Sequence, residues 1–164
     1  MLAQTPVQIA WVTRDLTATE QVLTAVLGAK KWVRLPAVAF TADNCTVHGE
    51  PADFTASISF SYAGDTQLEV IAPDDGRSVY TEFLADCGPG LHHICVEVAD
   101  TDAFDAAIAE AERAGMKVVQ RGVMPGGMHF AYVGAARAGV PYLEIAYIPD
   151  EIKAFFDYVK QEQK

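Results

Sequence analysis

Cysteine is scarce in this chain of 164 residues: Cys45, Cys87 and Cys95 are all it has. An odd count at wide spacing argues against a disulfide framework or a zinc knuckle, and fits reduced thiols in a cytoplasm. Positive charge is also thin. Twelve Lys and Arg stand against 22 Asp and Glu, for a net charge of −10, and no basic cluster exceeds Lys30-Lys31. Such a distribution cannot neutralise a phosphate backbone, so nucleic acid is not expected as a partner. No apolar run reaches membrane-spanning length, and "MLAQTPVQIAWVTRD" lacks a basic leader and a cleavage site. The expectation is a cytoplasmic protein with no membrane partner.

What is present fits one domain over 1–164: 51% hydrophobic and 21% charged residues, enough for a sizeable core. "VQIAWVT" reads as a strand and "RDLTATEQVLTAVLG" as a helix, with Thr17 and Glu20 at capping-box spacing and Gly28 as its stop. "AVAFTADNCTVHGEPAD" reads as a loop. "ADFTASISFSYAG" alternates, Phe54, Ala56, Ile58, Phe60 and Tyr62 against Thr55, Ser57, Ser59 and Ser61. "GD" then turns the chain into the strand "TQLEVIAP", and "RSVYTEFLADCG" predicts a connecting helix.

The order starts again at "LHHICVEVA". A helix follows with Phe104, Ala107, Ile108 and Ala111 on one stripe. "KVVQRGVM" and "HFAYVGAA" flank the turn "PGG", "VPYLEIAYI" closes the series, and a last helix begins near Pro149. The boundaries are a first module over 6–75, a connector over 76–90, a second module over 91–148 and a terminal helix over 149–164. The pattern is strand, helix and about three strands, twice.

Laying "VQIAWVTRDLTA" on "HHICVEVADTDA" places Gln8 opposite His93. Laying "QLEVIA" on "YLEIAY" places Glu69 opposite Glu144. Gln8 and Glu69 are ten residues further apart than His93 and Glu144, so the surplus is assigned to the loop of the first half. Strand parity sends His93, Cys95 and Glu97 to one face and His92, Ile94, Val96 and Val98 to the other, beneath a helix layer. Two repeats about a pseudo-twofold axis would gather Gln8, Glu69, His93 and Glu144 in one cavity. Two carboxylates aimed into one interior need a compensating charge. One nitrogen and three oxygens suit manganese, cobalt, nickel, magnesium or zinc. The serine row Ser57, Ser59, Ser61 and the apolar set Trp11, Met128, Phe130 and Tyr132 are candidate pocket residues. A wet sheet face and ordinary core packing explain them equally well.

With "GLHHICVEVAD" and "TQLEVIAP", the chain from Pro6 to about Ile148 resembles the vicinal oxygen chelate superfamily: glyoxalase I, methylmalonyl-CoA epimerase, extradiol dioxygenases and bleomycin-resistance proteins. The resemblance implies an α+β fold of two tandem βαβββ modules, an open U-shaped mixed-sheet barrel with helices outside. It implies a metal on Gln8, Glu69, His93 and Glu144, "MPGGM" as a pocket rim, and a homodimer. The epimerase ligand pattern is His, Gln, His, Glu, from which Gln8 and Glu69 depart. Gln, Glu, His, Glu is similar to eukaryotic-type glyoxalase I, and Gln8 argues against the dioxygenases. The implied activity is proton transfer next to a carbonyl or thioester of a small molecule, as an isomerase, epimerase or glyoxalase-type lyase. Glu69 and Glu144 are the candidate bases. The alternative is a metal-free protein that sequesters a drug or hydrophobic metabolite. For a CoA phosphate the sequence offers only Lys30, Lys31, Arg34 and Arg121, to be gathered by folding.

Overall fold

The structure, a computed structural model, describes residues 5–164. Strand β1 (Pro6–Val12) leads into helix α1 (Leu16–Leu27). Asp15 caps that helix, its carboxylate accepting from the Ala18 N–H at 3.0 Å, and Gly28 ends it at φ 76°. The expected Thr17–Glu20 capping box does not form. Glu20 is engaged elsewhere, by Arg34 and Ser59, and an anionic acceptor at Asp15 suits the positive end of the helix better.

The segment expected as a loop is largely extended. It holds the second half of β2 (Val33–Phe40), then β3 (Cys45–Val47) and β4 (Glu50–Pro51). Its alanines and short polar residues carry little strand propensity of their own. Pairing supplies it: β2 runs antiparallel to β5 (Phe54–Ala63), and β3 to β8 (Val118–Val123) in the other half. Such partners are invisible to a local pattern.

Strand β6 (Thr66–Asp75) returns along β5 through the Gly64-Asp65 turn, and helix α2 (Val79–Cys87) crosses over. The second half runs β7 (Gly90–Val98), α3 (Thr101–Arg113), β8, β9 (His129–Gly134) and β10 (Tyr142–Tyr147), and α4 (Asp150–Gln161) closes the chain. The strands form one mixed sheet in the order β2-β5-β6-β1-β7-β10-β9-β8-β3-β4. The order within 2-5-6-1 repeats within 8-9-10-7 as its mirror, and the two halves meet where β1 pairs antiparallel with β7. The fold is therefore α+β, two βαβββ modules curled into a half-barrel with α1 and α3 on its outer face and α2 and α4 packed towards the inner one. The surplus residues of the first half form the β3–β4 hairpin, which extends the edge of the second.

The larger core cluster lies on the concave face, with Phe54, Ile58, Phe60, Tyr80, Phe130 and Tyr132 among its buried members. The smaller packs α3 on the second module through Phe104, Ile108, Val133 and Ile145. Helix α4 covers part of the concave face. Phe155 and Phe156 meet Phe60 with ring centroids 5.9 and 5.3 Å away. Ion pairs Lys153–Glu97 and Lys160–Asp65, each 2.6 Å, fasten it. The partner of Glu97 is thus a surface lysine, and this acid takes no part in the centre described next.

Candidate metal centre

Sheet register builds the site. Laterally paired residues send their side chains to the same face, and successive pairs two residues apart share it. One row across the sheet runs Tyr62, Gln67, Gln8, Cys95, Glu144 and Tyr132; the next runs Phe60, Glu69, Ala10, His93 and Tyr142. Both rows cross the central strands β6, β1, β7 and β10, where the halves meet. All four residues of the expected constellation thus point inward from four strands.

The groups meet at one nitrogen. His93 Nε2 lies 2.9 Å from Glu144 Oε2, 3.2 Å from Gln8 Oε1 and 3.4 Å from Glu69 Oε2. All four side chains are buried, and donor atoms of Glu69, His93 and Glu144 lie within 4.8 Å of one another. The amide of Gln8 is oriented from behind. Its Nε2 donates to Gln67 Oε1 at 2.6 Å, and Gln67 Nε2 donates to the Tyr62 hydroxyl at 3.1 Å. That chain leaves Gln8 Oε1 facing the cluster.

The electrostatics follow from burial. Desolvation alone would depress the His93 imidazolium, but the Glu144 charge and hydrogen bond, reinforced by Glu69, carry its pKa up to about 9. Burial pushes the Glu69 carboxyl above its ordinary range, against the pull of His93. Tyr80 and Tyr132, joined hydroxyl to hydroxyl at 2.7 Å, are held far above theirs by burial and therefore stay protonated.

His92 departs from the parity expected of it. Ala10 pairs with His93 and Trp11 with Leu91, so His92 is the extra residue of a β-bulge. The bulge turns both histidines inward. His92 Nδ1 lies 2.9 Å from His93 Nδ1, and its ring stands among Tyr80, Phe83, Tyr132 and Tyr142. Burial, with the neighbouring imidazole, holds its pKa well below the usual value, which makes it the neutral acceptor for the His93 Nδ1–H. The doubled "HH" was the one sign of such a bulge in the sequence. Gln67, Tyr80 and their hydrogen bonds left none, because they depend on pairing across the sheet.

Beside the cluster opens a cavity of about 340 Å³ with Gln8, Glu69, Glu144, Tyr80 and Tyr132 at its polar end. Met128 and Phe130 line it, as do Ile58 and Phe60. Trp11, Ser57 and Ser59 do not. Trp11 lies an odd number of residues from Gln8, so it projects from the opposite face of β1, beside Ala18 and Val22 of α1. The serines occupy the outer face of β5, where Ser59 Oγ donates to Glu20 Oε1 at 2.6 Å and Ser57 Oγ to Asp74 Oδ2 at 2.8 Å. Nor does folding gather the cations. Lys31 pairs with Glu162, Arg34 with Glu20 and Arg121 with Asp105, and among the described residues no Lys or Arg lines the cavity.

A doubled half-barrel with a nitrogen-and-oxygen donor cluster at its seam and an apolar cavity against it defines a class of small-molecule site. The chain belongs to the Glyoxalase/Bleomycin resistance protein/Dioxygenase superfamily, whose family model matches residues 7–132. Among solved structures, methylmalonyl-CoA epimerase from Mycobacterium tuberculosis is similar with a TM-score of 0.60 and 19% identity, over 94% of this chain and 97% of that one. A hypothetical protein from Bacillus halodurans C-125 has a TM-score of 0.60 at 17% identity, over 91% and 97%. A methylmalonyl-CoA epimerase in complex with methylmalonyl-CoA and ammonium has a TM-score of 0.53 at 18% identity, over 91% and 97%. At these identities the likeness is one of fold. Comparison with curated proteins gave no match.

Proposed function

We propose that this chain is a divalent-metal-dependent enzyme that moves a proton at the carbon next to a carbonyl or acyl thioester. The observation that carries the reading is the crowding of three side-chain oxygens around His93 Nε2 within 3.4 Å, all buried. Two carboxylates facing one imidazole leave an excess of negative charge in the interior, which a divalent cation balances. Gln8, His93 and Glu144 are the residues to hold it, with Glu69 completing the set. When bound, the ion supplies the positive charge that polarises a carbonyl oxygen and favours the negative charge developing there.

The chain's own groups divide the remaining work. Glu69 is the more loosely held carboxylate, 3.4 Å from the imidazole against 2.9 Å for Glu144. It also lines the cavity, within reach of a ligand held there. Glu69 takes the proton and returns it. Glu144, closer to His93, chiefly anchors. The Tyr80–Tyr132 pair offers protonated hydroxyls at the cavity's polar end, and the aromatic walls exclude water. The solved epimerases of like fold support the isomerase and epimerase class; a direct lactoylglutathione assay tests the glyoxalase-type lyase. Exposed Val22, Val26 and Leu27 of α1 offer a homodimer one apolar surface, and sedimentation checks whether the chain pairs.

Elemental analysis of gently purified protein should find manganese, cobalt, nickel, magnesium or zinc. Solvent deuterium exchange at the α-carbon of a ketone probe should fall about 10²- to 10⁴-fold in Glu69→Gln with the metal content retained. Unchanged exchange in that variant removes Glu69 from the mechanism. The apolar walls favour one other reading, a metal-free protein that sequesters a hydrophobic compound. Ligand binding undisturbed in Glu144→Gln, together with no bound metal, would select it.

A further inference from the structure

We infer that the ligand body entering this cavity is uncharged and apolar, a neutral aryl or branched-alkyl carbonyl compound rather than one carrying a carboxylate or phosphate inside. The inference takes the carbonyl from the function proposed above and adds the nature of the rest of the molecule. It stands on the composition of the wall. Away from Gln8, Glu69 and Glu144, the cavity is bounded by aliphatic, aromatic and thioether groups, with Phe40, Met124, Phe155 and Phe156 at its apolar end. Among the described residues no Lys or Arg lines it, and four of the cations nearest in sequence or on α4 are taken by Glu20, Glu162, Glu97 and Asp65. An anion drawn into this space meets no counter-ion and lies against a wall that cannot solvate it.

The polar end sharpens the selection. Its two carboxylates leave no surplus positive charge after a divalent cation has been balanced, so a ligand's distant carboxylate gains nothing there either. The whole chain, at −10, repels anions at long range. The volume, about 340 Å³, lies at the lower end of the range for small-molecule sites. It holds a single aromatic ring or a branched chain with its carbonyl, and anything longer must extend out through its open side.

The test is calorimetric binding of a matched pair of aryl ketones, methyl 4-acetylbenzoate and 4-acetylbenzoate. They share a carbonyl and differ in charge at the far end of the ring. Metal-free and manganese-loaded protein are both titrated. The neutral ester should bind at least about tenfold more tightly than the acid in both forms, because the acid alone must bury an unpaired carboxylate. Met124→Arg, at the half-exposed wall, should narrow or reverse the preference. Equal or tighter binding of the acid to the wild type overturns the inference, and so does failure of the ester to bind at all. Absence of metal binding with the ester preference intact would instead defeat the proposed function alone.

Discussion

His93 concentrates the physics of this molecule. Its Nε2 faces three oxygens, while its Nδ1 faces a second, neutral imidazole at 2.9 Å. In the metal-free protein its pKa stands near 9, against about 6.5 in an unfolded chain. Its charge interactions are therefore fully stabilising below the unfolded value and are lost as pH rises through about 9. Metal binding needs the opposite state, an unprotonated Nε2. Below pH 9 each ion that binds expels one proton, so apparent affinity should rise about tenfold per pH unit from 7 towards 9 and then flatten. Competition titrations with a chelator at several pH values would read this slope. A flat profile would mean that His93 either is not a ligand or holds no proton in this range. His92 fixes the other side of the ring. His92→Phe keeps an aromatic ring but removes the acceptor from Nδ1–H, and metal affinity should drop about 10- to 100-fold, measured by the same titration.

Between residues and fold stand two elements that shape the cavity. The bulge of β2 between Leu35 and Val38 places Ala37 at φ 48° and lets Leu35, Pro36, Val38 and Ala39 all reach the cavity wall. A regular strand would have turned half of them away. Helix α4 supplies the opposing wall, with Phe156 buried against Phe60 and Phe155. Its first turn also meets the "PGG" turn, where Gly126 has φ 95° and a Cβ would come within 2.8 Å of Ile152 Cδ1. Phe156→Ala should destabilise the protein by about 3 kcal/mol, the low end for a buried Phe because the lost volume joins an existing cavity. Urea denaturation measures it. The same variant should admit a bulkier aryl ketone than the wild type, whereas a Phe156 that merely packed the core would leave ligand size limits unchanged.

At the scale of the whole molecule, the centre is also a clasp. Gln8 and Glu69 belong to the first half of the chain, His93 and Glu144 to the second, and the halves join at the β1–β7 seam and again where β3 pairs with β8. An ion held by all four residues cannot stay bound if either half unfolds. Manganese at a hundred times its dissociation constant should raise the unfolding free energy by about 2.7 kcal/mol. Thermal and urea transitions followed by circular dichroism and by fluorescence should shift together as one. Separate shifts for two transitions would show halves that unfold independently.

What the sequence determined by itself was whatever repeats within a few residues or at the spacing of the two halves. Alternation in "FTASISFSYAG", the helical stripe of Phe104, Ile108 and Ala111, and the offset of "QLEVIA" on "YLEIAY" are local or repetitive signals. They sufficed for the doubled module and for the four residues drawn to its seam. Tertiary structure alone decided the rest. The extended character of Cys45–Val47 depends on β8, some seventy residues on. The inward turn of His92 depends on a pairing slip with β1. Ser59 and Trp11 sit behind the cavity rather than in it, because the sheet curls towards the faces of Gln8 and Ile58. A pattern along one strand records which residues share a face; which face becomes the inside is fixed only when distant strands pair and close around it.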